Sequence, residues 1–89
     1  MKSRANGRFW ELFRQLPSNV QDQARETYRI FTLNPRHPSL QFKRVSQARP
    51  AYSVRVSRDY RAVGILQGEG ILWFWIGNHQ DYDRLLAGH

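Results

Sequence analysis

The sequence predicts an α+β fold: an N-terminal helical hairpin packed on one face of a four-stranded antiparallel sheet, with a short C-terminal helix closing the chain. Three observations lead there. Apolar residues recur at helical spacing through the first third of the chain. After a proline-rich segment the apolar period changes from 3.6 to 2, and glycine-bearing turns then punctuate short apolar runs. Helices followed by consecutive strands segregate to one side of an antiparallel sheet.

Phe9, Leu12, Phe13 and Leu16 stand at i, i+3, i+4 and i+7, which predicts a helix that ends before Pro17. Ser18 offers an N-cap with Gln21 three residues on, and Val20, Ala24, Tyr28 and Phe31 carry an apolar stripe as far as Asn34-Pro35. Prolines 35 and 38 forbid helix across the next segment. Strands are then expected at Leu40 to Val45, at Tyr52 to Val56, where apolar and polar residues alternate, and at Tyr60 to Leu66. The QGEG turn precedes Ile71 to Ile76, a continuous apolar run that reads as the sheet centre, covered on both faces. Asn78 is a candidate cap for a final helix from Asp81 to Leu86 that turns Tyr82, Leu85 and Leu86 inward. The opening MKSRANG carries no strand signal.

At 89 residues the chain is expected to form one domain, 1–89, with 40% hydrophobic and 13% aromatic residues to build its core. Cysteine is absent, so no disulfide framework or thiolate metal site is available, and the cytoplasm is the expected location. The basic N-terminus is not followed by an apolar stretch of signal-peptide length, and the longest apolar run has six residues, against the 20 or so that a spanning helix needs. No membrane partner is expected. Neither is a metal or a small-molecule cofactor: His37, His79 and His89 lack ligand-like spacing, and no glycine-rich phosphate loop is present.

Fourteen Lys and Arg, twelve of them Arg, face seven Asp and Glu, for a net charge of +7. Arg presents a planar fork of donors suited to phosphate oxygens. Arg36, Lys43, Arg44, Arg49, Arg55, Arg58 and Arg61 fall between Asn34 and Ala62 with Asp59 as the single acid, so most of the excess charge sits in one third of the chain. Codon bias would spread arginine evenly, whereas a nucleic-acid footprint clusters. Arg55, Lys43, Arg44, Arg58 and Arg49 are therefore the candidate RNA-binding residues. Candidate chemistry rests on Arg61, His79, Asp81 and Tyr82, each of which also has an ordinary structural reading: a strand-face arginine, a loop histidine, a helix-dipole acid and a tyrosine anchor.

The string YSVRVSRDYRAV, then a turn, then WFWIG leading into NHQDYDRLL, all after a helical hairpin and PRHPSLQFKRV, resembles the RelE/ParE superfamily of bacterial toxins over roughly Phe9 to Leu86. The resemblance implies a toxin of a type II toxin–antitoxin pair, neutralised by a cognate acidic antitoxin. Its RelE-like branch implies a metal-independent endoribonuclease that cuts mRNA on the ribosome, whereas ParE-like members inhibit DNA gyrase. Carried over by motif, Arg61 matches an arginine that stabilises the scissile phosphate, Arg55 a basic strand position, and His79, Asp81 and Tyr82 fall where catalytic groups cluster after the last strand. Ser53 departs from the pattern, standing where the RelE branch has a lysine.

Metal-free cleavage of RNA needs a base for the ribose 2′-hydroxyl, donors for the phosphate and an acid for the departing 5′-oxygen. Arg55 and Arg61 can supply the donors and His79 the base, with Tyr82 a second proton-transfer group or a platform. So few groups make a poor free nuclease, which agrees with a need for the ribosome to align the message. A gyrase inhibitor and a non-catalytic nucleic-acid-binding member of the same fold stand as alternatives.

Overall fold

A computed structural model describes residues 1–88; His89 lies outside the described residues. In chain order the elements are β1 (Lys2–Ala5), α1 (Gly7–Arg14), α2 (Ser18–Leu33), a 3₁₀ turn (Pro38–Leu40), β2 (Lys43–Arg44), β3 (Ala51–Ser57), β4 (Tyr60–Gln67), β5 (Gly70–Asn78) and α3 (His79–Ala87). The α+β class holds, with one more strand than expected: the five strands run β1-β5-β4-β3-β2, with β1 parallel to β5 and every other pair antiparallel.

The extra strand is β1. Its outward residues are Lys2 and Arg4, and the half-buried pair is Ser3 and Ala5, so no large apolar side chain signals it. What holds it is β5: Ser3 Oγ accepts a 2.8 Å hydrogen bond from Trp73 Nε1, and Lys2 through Ala5 pair with Gly70 through Trp73. Because β1 takes the outer side of β5, the middle strand is β4 and not the Ile71–Ile76 run. The expected strand from Leu40 to Val45 shrinks to two residues. Gln41 takes a left-handed φ of 46° after the 3₁₀ turn, which interrupts extended backbone, while Leu40 is buried and Phe42 stacks on Tyr52 at 5.0 Å.

The helices α1 and α2 cover one face. Phe13, Val20, Ala24 and Phe31 pack with Val54, Val56, Ala62, Ile71, Trp73 and Ile76. Thr27, not Tyr28, completes the buried stripe of α2, and its hydroxyl donates to the carbonyl of Val56 at 3.3 Å. Tyr28 stays half exposed. Ser18 opens α2 without capping it; Pro17 holds the cap position, and Gln21 instead closes the end of α1 by donating from Nε2 to the carbonyls of Phe13 and Leu16. On the outer face of α2, two hydrogen bonds from Arg29 hold the Glu26 carboxyl below its usual range.

The second face carries α3. A register shift between Val63 and Gly64 places Val63 opposite Trp75 and Gly64 opposite Trp73, leaving Phe74 as the extra residue of a bulge. Trp73 therefore faces α1 and α2, while Phe74 and Trp75 pack on the α3 side. A Cβ at Gly64 would meet the Ile71 and Trp73 side chains at 2.8 Å, so glycine lets these side chains cross the strand. Gly68 supplies the positive φ, 59°, of the tight β4–β5 turn. Tyr82 is buried on Ala51, Val63 and Trp75, and Leu85 and Leu86 complete this smaller core. No helix of the described residues is long and apolar enough to cross a membrane.

A candidate nucleic-acid interface

Three pieces of chain end together at one margin of the sheet: the β3–β4 turn, the end of β5 and the start of α3. Tyr60 pairs with Asn78, Arg61 with Gly77, and the backbone amide of His79 donates to the carbonyl of Asp59 at 2.8 Å. Asn78 caps α3, its Oδ1 accepting from the Asp81 amide at 2.8 Å.

Arg55 and Arg61 are register partners across β3 and β4. Side chains two apart on a strand share a face, so Arg55 lies on the face of Ser53 and Arg61 on that of Val63, the face that carries α3. Both are half-buried. Arg61 turns Nη1 onto the turn, donating to the carbonyls of Ser57 at 2.6 Å, Tyr60 at 2.9 Å and Arg58 at 3.2 Å. With Nη1 fixed, its Nε and Nη2 edge is the part of the fork without a hydrogen bond among the described residues. Arg55 makes no hydrogen bond or ion pair among them.

Like charges directly opposite on a sheet repel. Neither Arg55 nor Arg61 takes part in an ion pair: the arginine–carboxylate pairs of the described residues are Arg25 with Asp22, Arg29 with Glu26 and Arg84 with Asp81, and none uses a basic residue from Asn34 to Ala62.

His79 and Tyr82 come together one helical turn apart, their rings stacked at 5.7 Å and 29°. The Tyr82 hydroxyl is buried and donates to Ser53 Oγ at 3.2 Å. His79 is half exposed, with Nε2 3.6 Å from Asp83 Oδ2. Asp81 sits in the first turn of α3, exposed and paired with Arg84 at 3.2 Å, so its carboxylate is directed to its own helix. Lys43 is exposed opposite Ser53, on the face of α3. Arg44 is opposite Tyr52 and spends its guanidinium on the β2–β3 loop, donating to the carbonyls of Ser46, Arg49 and Gln47 at 2.8, 3.3 and 3.5 Å. Arg58 is exposed at the tip of the β3–β4 turn, and Arg49 is exposed in the β2–β3 loop. Among the described residues no three His, Cys, Asp or Glu side chains gather into a metal site.

The sequence turns Leu85 and Leu86 inward on the last helix but does not signal that they wall a cavity beside this surface. Phe74, Leu85, Leu86 and Ile65 line a cavity of about 180 Å³ with Ser46 and Arg49 from the β2–β3 loop. Four separate segments build it, the β2–β3 loop, β4, β5 and α3, and no spacing in the sequence signals that they meet.

A mixed five-stranded sheet with two helices on one face and a terminal helix on the other is the architecture of small toxins of known structure. A YoeB/ParE toxin from Agrobacterium tumefaciens superposes with a TM-score of 0.70 at 13% identity, covering 89% of this chain and 99% of that one. YafQ from E. coli strain BL21(DE3) gives 0.72 at 10% identity, with 91% and 96% covered. The RelB-RelE antitoxin-toxin complex from Methanococcus jannaschii contributes a chain at 0.72 and 13%, with 90% and 95% covered. No curated protein matches the sequence. The ParE-like toxin domain model matches residues 18–84, and the chain belongs to that family, within the RelE/ParE superfamily of toxins of type II toxin–antitoxin systems.

Proposed function

We propose that this toxin is a metal-independent endoribonuclease that cuts mRNA on the ribosome and so inhibits translation. The observation that carries the reading is the Arg55–Arg61 pair: two arginines at opposite register positions beside the β3–β4 turn, on the face that carries α3, neither in an ion pair. Such a pair is stabilised by an anion, and a phosphodiester accepts from both. Arg61 is preorganised for this, because its Nη1 bonds fix the plane of the group before substrate arrives.

In this reading Arg55 and Arg61 hold the non-bridging oxygens as charge builds on them. His79, exposed at the same margin, takes the proton of the 2′-hydroxyl as that oxygen attacks the phosphate to give a 2′,3′-cyclic phosphate, and water supplies the proton to the departing 5′-oxygen. Tyr82 serves as the platform under His79, since its own hydroxyl is buried on Ser53. Asp81 acts at one remove, setting the start of α3 through the helix dipole and Arg84. Lys43, Arg49 and Arg58 extend the basic surface along the message, and Arg44 fixes the loop that carries Arg49. The open, shallow site leaves alignment of the RNA to the ribosome.

The cognate partner is an acidic antitoxin that covers this surface. RelB-RelE complexes are among the structures the fold resembles, and the uncompensated arginines favour an acidic chain. A second reading, inhibition of DNA gyrase, is favoured by the ParE-like identity of the matching family model. Cell-free translation with 5′-end mapping of the message separates the two. The nuclease gives cuts that appear only when the message is being translated; a gyrase inhibitor leaves the message intact and blocks supercoiling in a purified gyrase reaction.

A further inference from the structure

The face that carries Arg55 and Arg61 continues past α3 to the cavity walled by Ile65, Phe74, Leu85 and Leu86, with Ser46 and the exposed Arg49 on its loop side. We propose that this cavity takes one base of a single-stranded RNA, two nucleotides along from the one held by the two arginines. The inference rests on the RNA reading above and adds to it a place where a base, and not only the phosphate backbone, is held.

Four observations lead to it. The first is size and lining: the cavity measures about 180 Å³ and most of its wall is apolar. A cavity of about 150 Å³ lined by aliphatic and aromatic groups is known to hold a benzene ring. The second is chemistry, because Phe74 offers a ring for stacking and base stacking on aromatic side chains is the sequence-tolerant mode of single-strand recognition.

The third is spacing. Two residues of strand advance about 7 Å. Counting along β3 from Arg55, one such step reaches Ser53, with Lys43 opposite it, and a second reaches Ala51, where the Val45 amide closes the β2–β3 loop at 2.8 Å. Lys43 and then Arg49 thus follow the arginine pair at intervals comparable to successive phosphates of an extended strand. The fourth is preorganisation. Arg44 bonds three carbonyls of the loop, and Ser46 Oγ accepts from the Arg49 amide at 3.2 Å, so the loop wall is set before ligand arrives.

The test compares two probes of equal charge on the purified toxin: a fluorescein-labelled heptamer of adenylate RNA, and a heptamer of the same phosphoribose backbone lacking all bases. The base-bearing strand should bind at least about fivefold more tightly, the low end of what stacking on one aromatic platform contributes. In Leu86→Trp, which fills the cavity from a half-buried helix position, that preference should fall to near unity while affinity for the baseless strand stays at the wild-type level. A urea midpoint within the wild-type range reports that the variant is folded.

Base preference that survives Leu86→Trp overturns the cavity as the subsite and leaves the RNA reading standing. The same holds if Leu86→Trp abolishes capture of an acidic antitoxin peptide without touching base preference, which gives the cavity to the protein partner. If wild-type protein binds neither strand at low salt, the RNA reading falls and the subsite falls with it.

Discussion

Arg61 is both a surface cation and a structural clamp, and the two roles separate on mutation. Its Nη1 bonds to three turn carbonyls, so Arg61→Ala should lower stability by about 1.5–3 kcal/mol, the value of hydrogen bonding to a charged group, and leave the protein folded. Arg55→Ala loses no bond and relieves cross-strand repulsion, so its urea midpoint should equal or exceed that of the wild type. Tyr82 tests the platform role. Tyr82→Phe keeps the ring under His79 and removes only the bond to Ser53, so cleavage should persist at a cost of about 1 kcal/mol in stability. Tyr82→Ala should cost about 3–5 kcal/mol, because the ring fills the core beneath α3. Loss of cleavage in a well-folded Tyr82→Phe would make the hydroxyl a proton-transfer group and end the platform assignment.

Elements explain which parts of this architecture the sequence disclosed. The helices α1 and α2 and the strands β3, β4 and β5 were legible because each buries large apolar side chains at its own period: Phe13 and Phe31 on the helices, Val54, Val56 and Ile76 on the strands. β1 was not, since Ser3 and Ala5 are too small to signal burial and the strand exists only through pairing with β5. β2 shrank because the chain turns left-handed at Gln41. The charge cluster was legible from composition, but the sharing of one margin by Arg55, Arg61 and His79 depends on a register that no local pattern contains. The same holds for the bulge that sends Phe74 and Trp75 to one side. The start of α3 carries a prediction of its own. Asn78→Ala removes the cap on the Asp81 amide and should destabilise by about 1 kcal/mol, with hydrogen exchange accelerated in the first turn of α3 and unchanged in α2.

At the scale of the whole molecule, the arginine–carboxylate ion pairs of the described residues lie on α2 and α3, and Lys43, Arg55 and Arg61 stand outside any ion pair on the face that α3 only partly covers. A surface of this kind steers an anionic macromolecule and makes binding salt-dependent. On the proposed reading, antitoxin and message compete for the same cations, so that occupation of one face would silence the toxin without unfolding it. The central claim is that this margin performs translation-dependent cleavage. Its most direct test is single-turnover cleavage of message on programmed ribosomes by wild type, Arg61→Ala and Arg55→Ala, with Arg25→Ala on α2 as the control. Wild type and Arg25→Ala should cut at the same rate. Removing a preorganised phosphate donor should slow Arg61→Ala by about 10²–10³-fold while it remains folded, with Arg55→Ala slowed as well. Cleavage by a folded Arg61→Ala at the wild-type rate, or no cleavage by wild type on ribosomes that a known nuclease toxin cuts, would contradict it.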